Sequence, residues 1–264
     1  MVEIVKQIAS FTHALRLLVL RDLSSRYKGT MFGLLWLILQ PLLMVVVYSF
    51  VFSVIMKVRI PGAVDNPYHF AVYLMAAMMP FMAFQDAIMA ASSSLFANAS
   101  LLQKSTMPPL LFPLVPMLST VVTEIIALLI IVVAAKVLLD QFSMTLFILP
   151  LLVLVRLVMS LSLGYVIAIL SVFIQDLRQA LGLLLTILMF LTPIVYPVEM
   201  VPPEFVAWND LNPFYHLCDA YRAVILRGEL PSAEFYWVFF FATLLLAFSV
   251  YFFQKTITRA KDFV

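Results

Sequence analysis

Six stretches of roughly twenty residues, the first beginning near Phe32 and the last ending near Phe253, carry almost no charge, and that repetition constrains the fold more than any motif does. A helix needs about 20 apolar residues to cross a hydrocarbon layer about 30 Å thick. Inside that layer every backbone amide and carbonyl must be satisfied, which a helix does within its own segment. The expected fold class is therefore all-α integral membrane, with six transmembrane helices at about 32–56, 70–91, 110–135, 144–173, 180–197 and 235–253. Pro41 and Pro80 fall inside the first two and predict bends, tolerable where neighbouring helices satisfy the freed carbonyls.

Composition closes off most other functions. Of 264 residues, 64% are hydrophobic and 11% charged, against about a quarter charged in a soluble domain. A net charge of +2, its bases scattered over separate loops, gives no reason to expect nucleic acid as a partner. Cys218 is the only cysteine, so neither an internal disulfide nor a CxxC metal site can form. The histidines at 13, 69 and 216 make no zinc signature. With six glycines and no GK[ST], there is no phosphate loop. No cofactor is expected in this chain and no catalysis; ATP and Mg would belong to another chain.

Charge asymmetry orients the bundle. With six spans both termini share a side, and that side collects Lys6, Arg16, Arg21, Arg26, Lys28, Lys104, Arg178, Lys255, Arg259 and Lys261. The opposite side holds Lys57, Arg59, Lys136, Arg222 and Arg227. Basic residues favour the cytoplasm, so both termini are expected inside.

One transmembrane domain is expected over 1–264: residues 1–31, spans one to five over 32–197, an outer segment at 198–233, the last span at 234–254 and a tail at 255–264. Arg16, Arg21, Arg26 and Lys28 interrupt the first segment, unlike a secretory leader. Ile4, Ile8, Phe11, Leu15 and Leu18 recur at helical spacing, with Lys6, Ser10 and His13 turned away. That pattern predicts an N-terminal interfacial amphipathic helix, apolar face in lipid. In the outer segment Phe214, Leu217, Tyr221, Val224 and Ile225 share a face, with Asp219, Arg222 and Arg227 largely elsewhere. After the Thr192–Pro193 and Tyr196–Pro197 breaks this reads as short re-entrant helices, either a mobile outer gate or a passive cap.

Three stretches carry a family resemblance. RDLSSRYKGTMFGLLWLILQPLLMV (residues 21–45) resembles the N-terminal signature of ABC-2 type permeases that export polysaccharides. NASLLQKSTMPPLLFP (98–113) looks like the family's cytosolic loop that engages the ATPase. LTPIVYPVEMVPPEF with LNPFYHLCDAYRAVILRG (191–228) resembles its outer gate region. The likeness spans nearly the whole chain and leans towards the O-antigen and teichoic-acid export branch. It implies a permease subunit in the cytoplasmic (inner) membrane, two copies of a separate ABC ATPase, and a lipid-linked polysaccharide as cargo. Export of small lipids or drugs is the alternative. Membrane lipids are partners by composition, and a homodimer is expected because six helices of one chain enclose little more than their own core.

Candidate functional residues follow. At 98–109 a short polar loop offers Asn98, Leu101, Leu102 and Lys104 as an ATPase-coupling surface, or else is a plain connector. Trp36, Tyr48, Phe52, Phe190 and Tyr196 are candidates for an aromatic pathway wall, since sugar rings lay apolar C–H faces on aromatic rings; lipid-facing placement is the competing reading. Glu124 and Arg156 fall at similar depth if the third and fourth spans run antiparallel, and a buried ion pair would offset the cost of placing either charge there, as a clamp or as a substrate contact. Asp86 lies near the inner end of the second span. A membrane-embedded glycosyltransferase would need an acidic cluster at a membrane face, and the sequence has none.

Overall fold

The computed structural model describes residues 11–58 and 66–263, and all regular structure among them is helical. Helix α1 spans Thr12–Tyr27, α2 Trp36–Tyr48 with a π-helical extension over Ser49–Ile55, α3 His69–Ala97, and α4 Ala99–Lys104. Then follow α5 Leu111–Leu139, α6 Leu149–Phe173, α7 Asp176–Leu191, α8 Pro203–Leu211, α9 Pro213–Arg222 and α10 Ala233–Ala260. Among the described residues, five stretches are long and apolar enough to cross a membrane: Gly33–Ile55, His69–Ala97, Leu111–Leu139, Met144–Phe173 and Ala233–Phe263.

The fifth expected span differs. Instead of running 180–197, α7 stops at Leu191 after 16 residues, about 24 Å at 1.5 Å per residue. Pro193 explains the stop: the residue before a proline is pushed out of the helical region, and Thr192 is extended at φ −90°, ψ 133°. The chain then continues without helix to the short turn Val198–Met200.

α3 is the buried centre, packed mainly against α5 and α6, while α10 lies along α6. Gly164 of α6 lets α5 come close: a β-carbon there would stand 2.0 Å from Met117 Cε. The expected interfacial helix is α1 over its described part; Ile4, Lys6, Ile8 and Ser10 lie outside the described residues, as does Arg59. Its placement corrects the expectation of an apolar face turned to lipid. Leu18 lines a groove with Ser93 of α3 and Phe112 of α5, Leu23 is buried, and Leu17 and Leu20 are the exposed ones.

The two ends of the bundle are distinct. At one, Leu102 of α4, Val172 of α6 and Ile257 of α10 share an apolar cluster, Arg178 lies over the Phe96 ring, and Phe173 meets Phe263. At the other, Asn66 donates to the Leu138 carbonyl, Thr145 donates to the Val224 carbonyl, and Gly228 (φ 67°) sits against Ser143. The α8–α9 hairpin folds back between these ends. Its tip residue Phe214 touches Phe84, whose position is about 22 Å along α3 from His69, and Cys218 Sγ then reaches the Ala77 carbonyl as α9 runs back towards the His69 end of α3.

Candidate functional site

The site grows from one carboxylate. Glu124 lies midway along α5 with its side chain fully enclosed. Arg156 of α6, equally enclosed, aims both Nε (2.9 Å) and Nη2 at Glu124 Oε2. Its Nη1 donates to Thr120 Oγ1 at 3.0 Å, and Thr120 donates in turn to the Met117 carbonyl. The other carboxylate oxygen, Oε1, accepts the Tyr221 hydroxyl at 2.7 Å. The charge pair is thus hydrogen-bonded on several sides, the condition under which buried ions persist. It also joins three elements, because Tyr221 belongs to α9.

Next to Tyr221 stands a second buried cation that no sequence pattern singles out. Arg222, expected on the polar side of the outer segment, is 1% exposed. Its guanidinium lies 3.7 Å above the centre of the Tyr73 ring. Nη1 and Nη2 donate to the Pro193 and Ile194 carbonyls at 2.8 Å each, and Nε to the Tyr73 carbonyl at 3.3 Å. No carboxylate pairs with it among the described residues. Pro193 ends α7 and frees carbonyls at a depth where they need donors, and a planar guanidinium supplies two in parallel while stacking on a ring. Arg227 is the surface counterpart, bound to Asp219 at 2.9 Å and Glu229 at 3.0 Å.

The expected pathway aromatics fall into separate groups. Tyr48 stacks on Phe52 (6.0 Å between centres), Phe52 meets Phe70, and Phe70 stacks on Tyr73, so this ladder turns inward to α3 and ends under Arg222. Trp36 borders a polar recess of about 80 Å³ together with Arg26, Tyr27, Gln40, Asp86 and Glu124. That is room for a few waters, not a sugar. Phe190 and Tyr196 border a much larger cavity, about 850 Å³, against α8.

In the 98–109 loop the structure separates the candidates. Leu102 is 2% exposed, clustered with Leu95, Leu110 and Ile257, so it holds the loop to the bundle rather than offering an anchor to a partner. Asn98 Nδ2 is occupied by the Ser94 carbonyl at 2.8 Å. Leu101 is half-buried, and the outward rim is Ser100, Gln103, Lys104 and Thr106.

Comparison with known proteins gives a consistent picture. The family model described as ABC-2 type transporter matches residues 13–226. The chain is 27% identical over 236 residues to the O-antigen export system permease protein RfbA of Myxococcus xanthus, covering 89% of this chain and 88% of that protein. It is 26% identical over 231 residues to the protein of the same name in Klebsiella pneumoniae, covering 86% and 85%. It is also 22% identical over 246 residues to the polysialic acid transport protein KpsM of Escherichia coli, covering 89% and 90%.

Proposed function

Because the chain belongs to the ABC-2 type transporter family, we propose that it is the membrane-spanning permease of an ATP-driven exporter that moves a lipid-linked polysaccharide outward across the cytoplasmic membrane. The observation that carries this reading is the end-to-end likeness to O-antigen export permeases from two genera, over 86–89% of this chain. Two copies would frame the pathway, and two copies of a separate ABC ATPase would drive it. The chain makes and breaks no bonds; it passes the partner's closure on to the outer hairpin. An affinity-tagged copy extracted in mild detergent should carry an ATPase subunit in equal amount, and a chain that consistently purifies alone would contradict the reading.

Both termini and α4 then face the cytoplasm, with α7 and the extended stretch after it making the fifth of six crossings. Taking buried Arg222 out of the outer set strengthens the bias, leaving ten bases inside against four outside. A cysteine at Asp210 should react with an impermeant thiol reagent in intact cells and one at Lys104 should not; labelling at Lys104 from outside would reverse the orientation.

Coupling is assigned to the exposed rim of the 98–109 loop and to α1 beside it. Lys104→Glu combined with Gln103→Ala should reduce ATPase co-purification several-fold while the permease still inserts, since both side chains point away from the bundle. Unchanged binding and unchanged export would move the docking surface elsewhere. Leu102→Asp is a poor probe of docking, because a charge there would break the bundle's own apolar cluster.

A further inference from the structure

A slot of about 490 Å³ lies between α6, α10 and the turn of the α8–α9 hairpin. Its α10 wall passes from Glu234 through Trp237 and Phe241 to Leu245, about 16 Å along the helix. That is one leaflet's share of a hydrocarbon layer about 30 Å thick. Trp237 and Phe241 are each 62% exposed in the folded chain, so the protein leaves this wall for something else to cover. The polar groups gather around one end. Asp210 comes from the hairpin and Glu234 from the first turn of α10, both exposed, and Glu234 is within electrostatic reach of His216 of α9. Among the described residues no lysine or arginine lines the slot. His216 is 8% exposed, and its Nε2 lies 2.7 Å from the Asp210 carbonyl. A carbonyl only accepts, so Nε2 carries the proton and Nδ1 of the neutral ring is an acceptor. Nδ1 has no partner among the described residues and, unlike Asn209 Nδ2, is not sealed from the surface. An unmatched acceptor in the wall of a slot bordered by two acids points to a cation that carries N–H groups.

We propose that the slot holds a membrane phospholipid whose head group ends in a primary ammonium, namely phosphatidylethanolamine. One acyl chain would lie along Trp237, Phe241 and Leu245, and the ammonium would meet Asp210, Glu234 and His216 Nδ1. Charge and hydrogen count select together. Two carboxylates with no basic neighbour disfavour an anionic head group such as glycerol phosphate. A choline head group keeps the positive charge but has no N–H, so it leaves Nδ1 unmatched. The bound lipid would bridge two elements, because Asp210, Leu211 and His216 belong to the hairpin and the apolar wall belongs to α10. It would thereby hold the hairpin folded against the bundle. The inference concerns the surrounding membrane rather than the cargo, and it stands apart from the export reading.

The test uses the full chain, delipidated in detergent at about pH 8, above the range in which an ordinary imidazole changes charge. Dioleoyl phosphatidylethanolamine, phosphatidylcholine and phosphatidylglycerol are added separately. Native mass spectrometry reads the bound lipid and hydrogen exchange reads the hairpin. Phosphatidylethanolamine should be retained about tenfold more tightly than either of the others, and it alone should slow exchange over 203–222. Asp210→Asn combined with Glu234→Gln should bring its advantage over phosphatidylglycerol down about tenfold without changing the lipid-free melting temperature, since both side chains are exposed. His216→Phe should erase the preference for ethanolamine over choline and keep that over glycerol. Equal retention of the three lipids would mean unselective coating of an apolar surface and would overturn the proposal. So would preferences that survive both sets of substitutions, or exchange over the hairpin that ignores the lipid. A cysteine at Trp237 that cross-links two copies in the native membrane would give the wall to a second chain instead. No arm depends on the ATPase or on export, so failure of the export reading would leave this result standing, and the reverse.

Discussion

Glu124→Gln lowers the stability of the folded permease by about 3–5 kcal/mol, because it strips the counter-charge from a guanidinium with no solvent exposure. Arg156→Met should cost a similar amount, leaving a carboxylate held only by Tyr221. Combining Glu124→Gln with Arg156→Met should recover most of either loss, since a neutral, volume-matched replacement of a buried pair is often close to isoenergetic. Thermal melts in detergent, arranged as a double-mutant cycle, read the coupling directly. Additive losses would show that the two charges act independently. Tyr221→Phe provides a milder variant: it removes one hydrogen bond to a charged group, about 1.5–3 kcal/mol, and loosens α9 without touching the pair between α5 and α6.

Arg222→Lys is expected to be nearly as damaging as Arg222→Met, which is unusual for a change that keeps the charge. The two 2.8 Å bonds to the Pro193 and Ile194 carbonyls need a fork, and the Tyr73 ring needs a flat cation. An ammonium group is a point charge and loses at least one of those bonds together with the stacking, about 2–4 kcal/mol in all. The loss should be local. Hydrogen exchange should accelerate over 192–227 and leave α3, α5 and α6 protected, and export should fall even where the protein still inserts. Full protection in Arg222→Lys would mean that charge alone holds the break, and the role given to the guanidinium plane would be wrong.

What the sequence disclosed and what it hid divide along physical lines. Glu124 and Arg156 stand out because ionisable groups are rare in apolar runs, and antiparallel spans bring them to one depth. Arg222 does not stand out. It sits in DAYRAVILRG beside Asp219 and Arg227, which are surface-paired, and its acceptors are carbonyls 28 and 29 residues away that become available only once Pro193 has ended α7. The proline was visible; the folding-back of α9 against the break was not. Leu102 misleads for a related reason. A loop leucine beside a lysine looks like a docking anchor, and only the folded bundle shows that it is buried in an apolar cluster that also takes in Ile257 of α10. The aromatic candidates were chosen by residue type, and type does not distinguish the inward ladder of Tyr48 and Phe52 from the cavity wall of Phe190 and Tyr196. The short α7 shows that an apolar run overstates a helix when Thr-Pro lies inside it.

Depletion of this chain in its own cells tests the central claim most directly, with the surface polysaccharide and the lipid-linked precursor measured together. An ATP-driven glycan permease predicts that surface polysaccharide falls to a small fraction while precursor accumulates at the cytoplasmic leaflet, and that restoring the chain reverses both. An ATPase partner disabled in nucleotide binding should give the same pair of changes. Normal surface polysaccharide with no accumulated precursor would contradict the assignment.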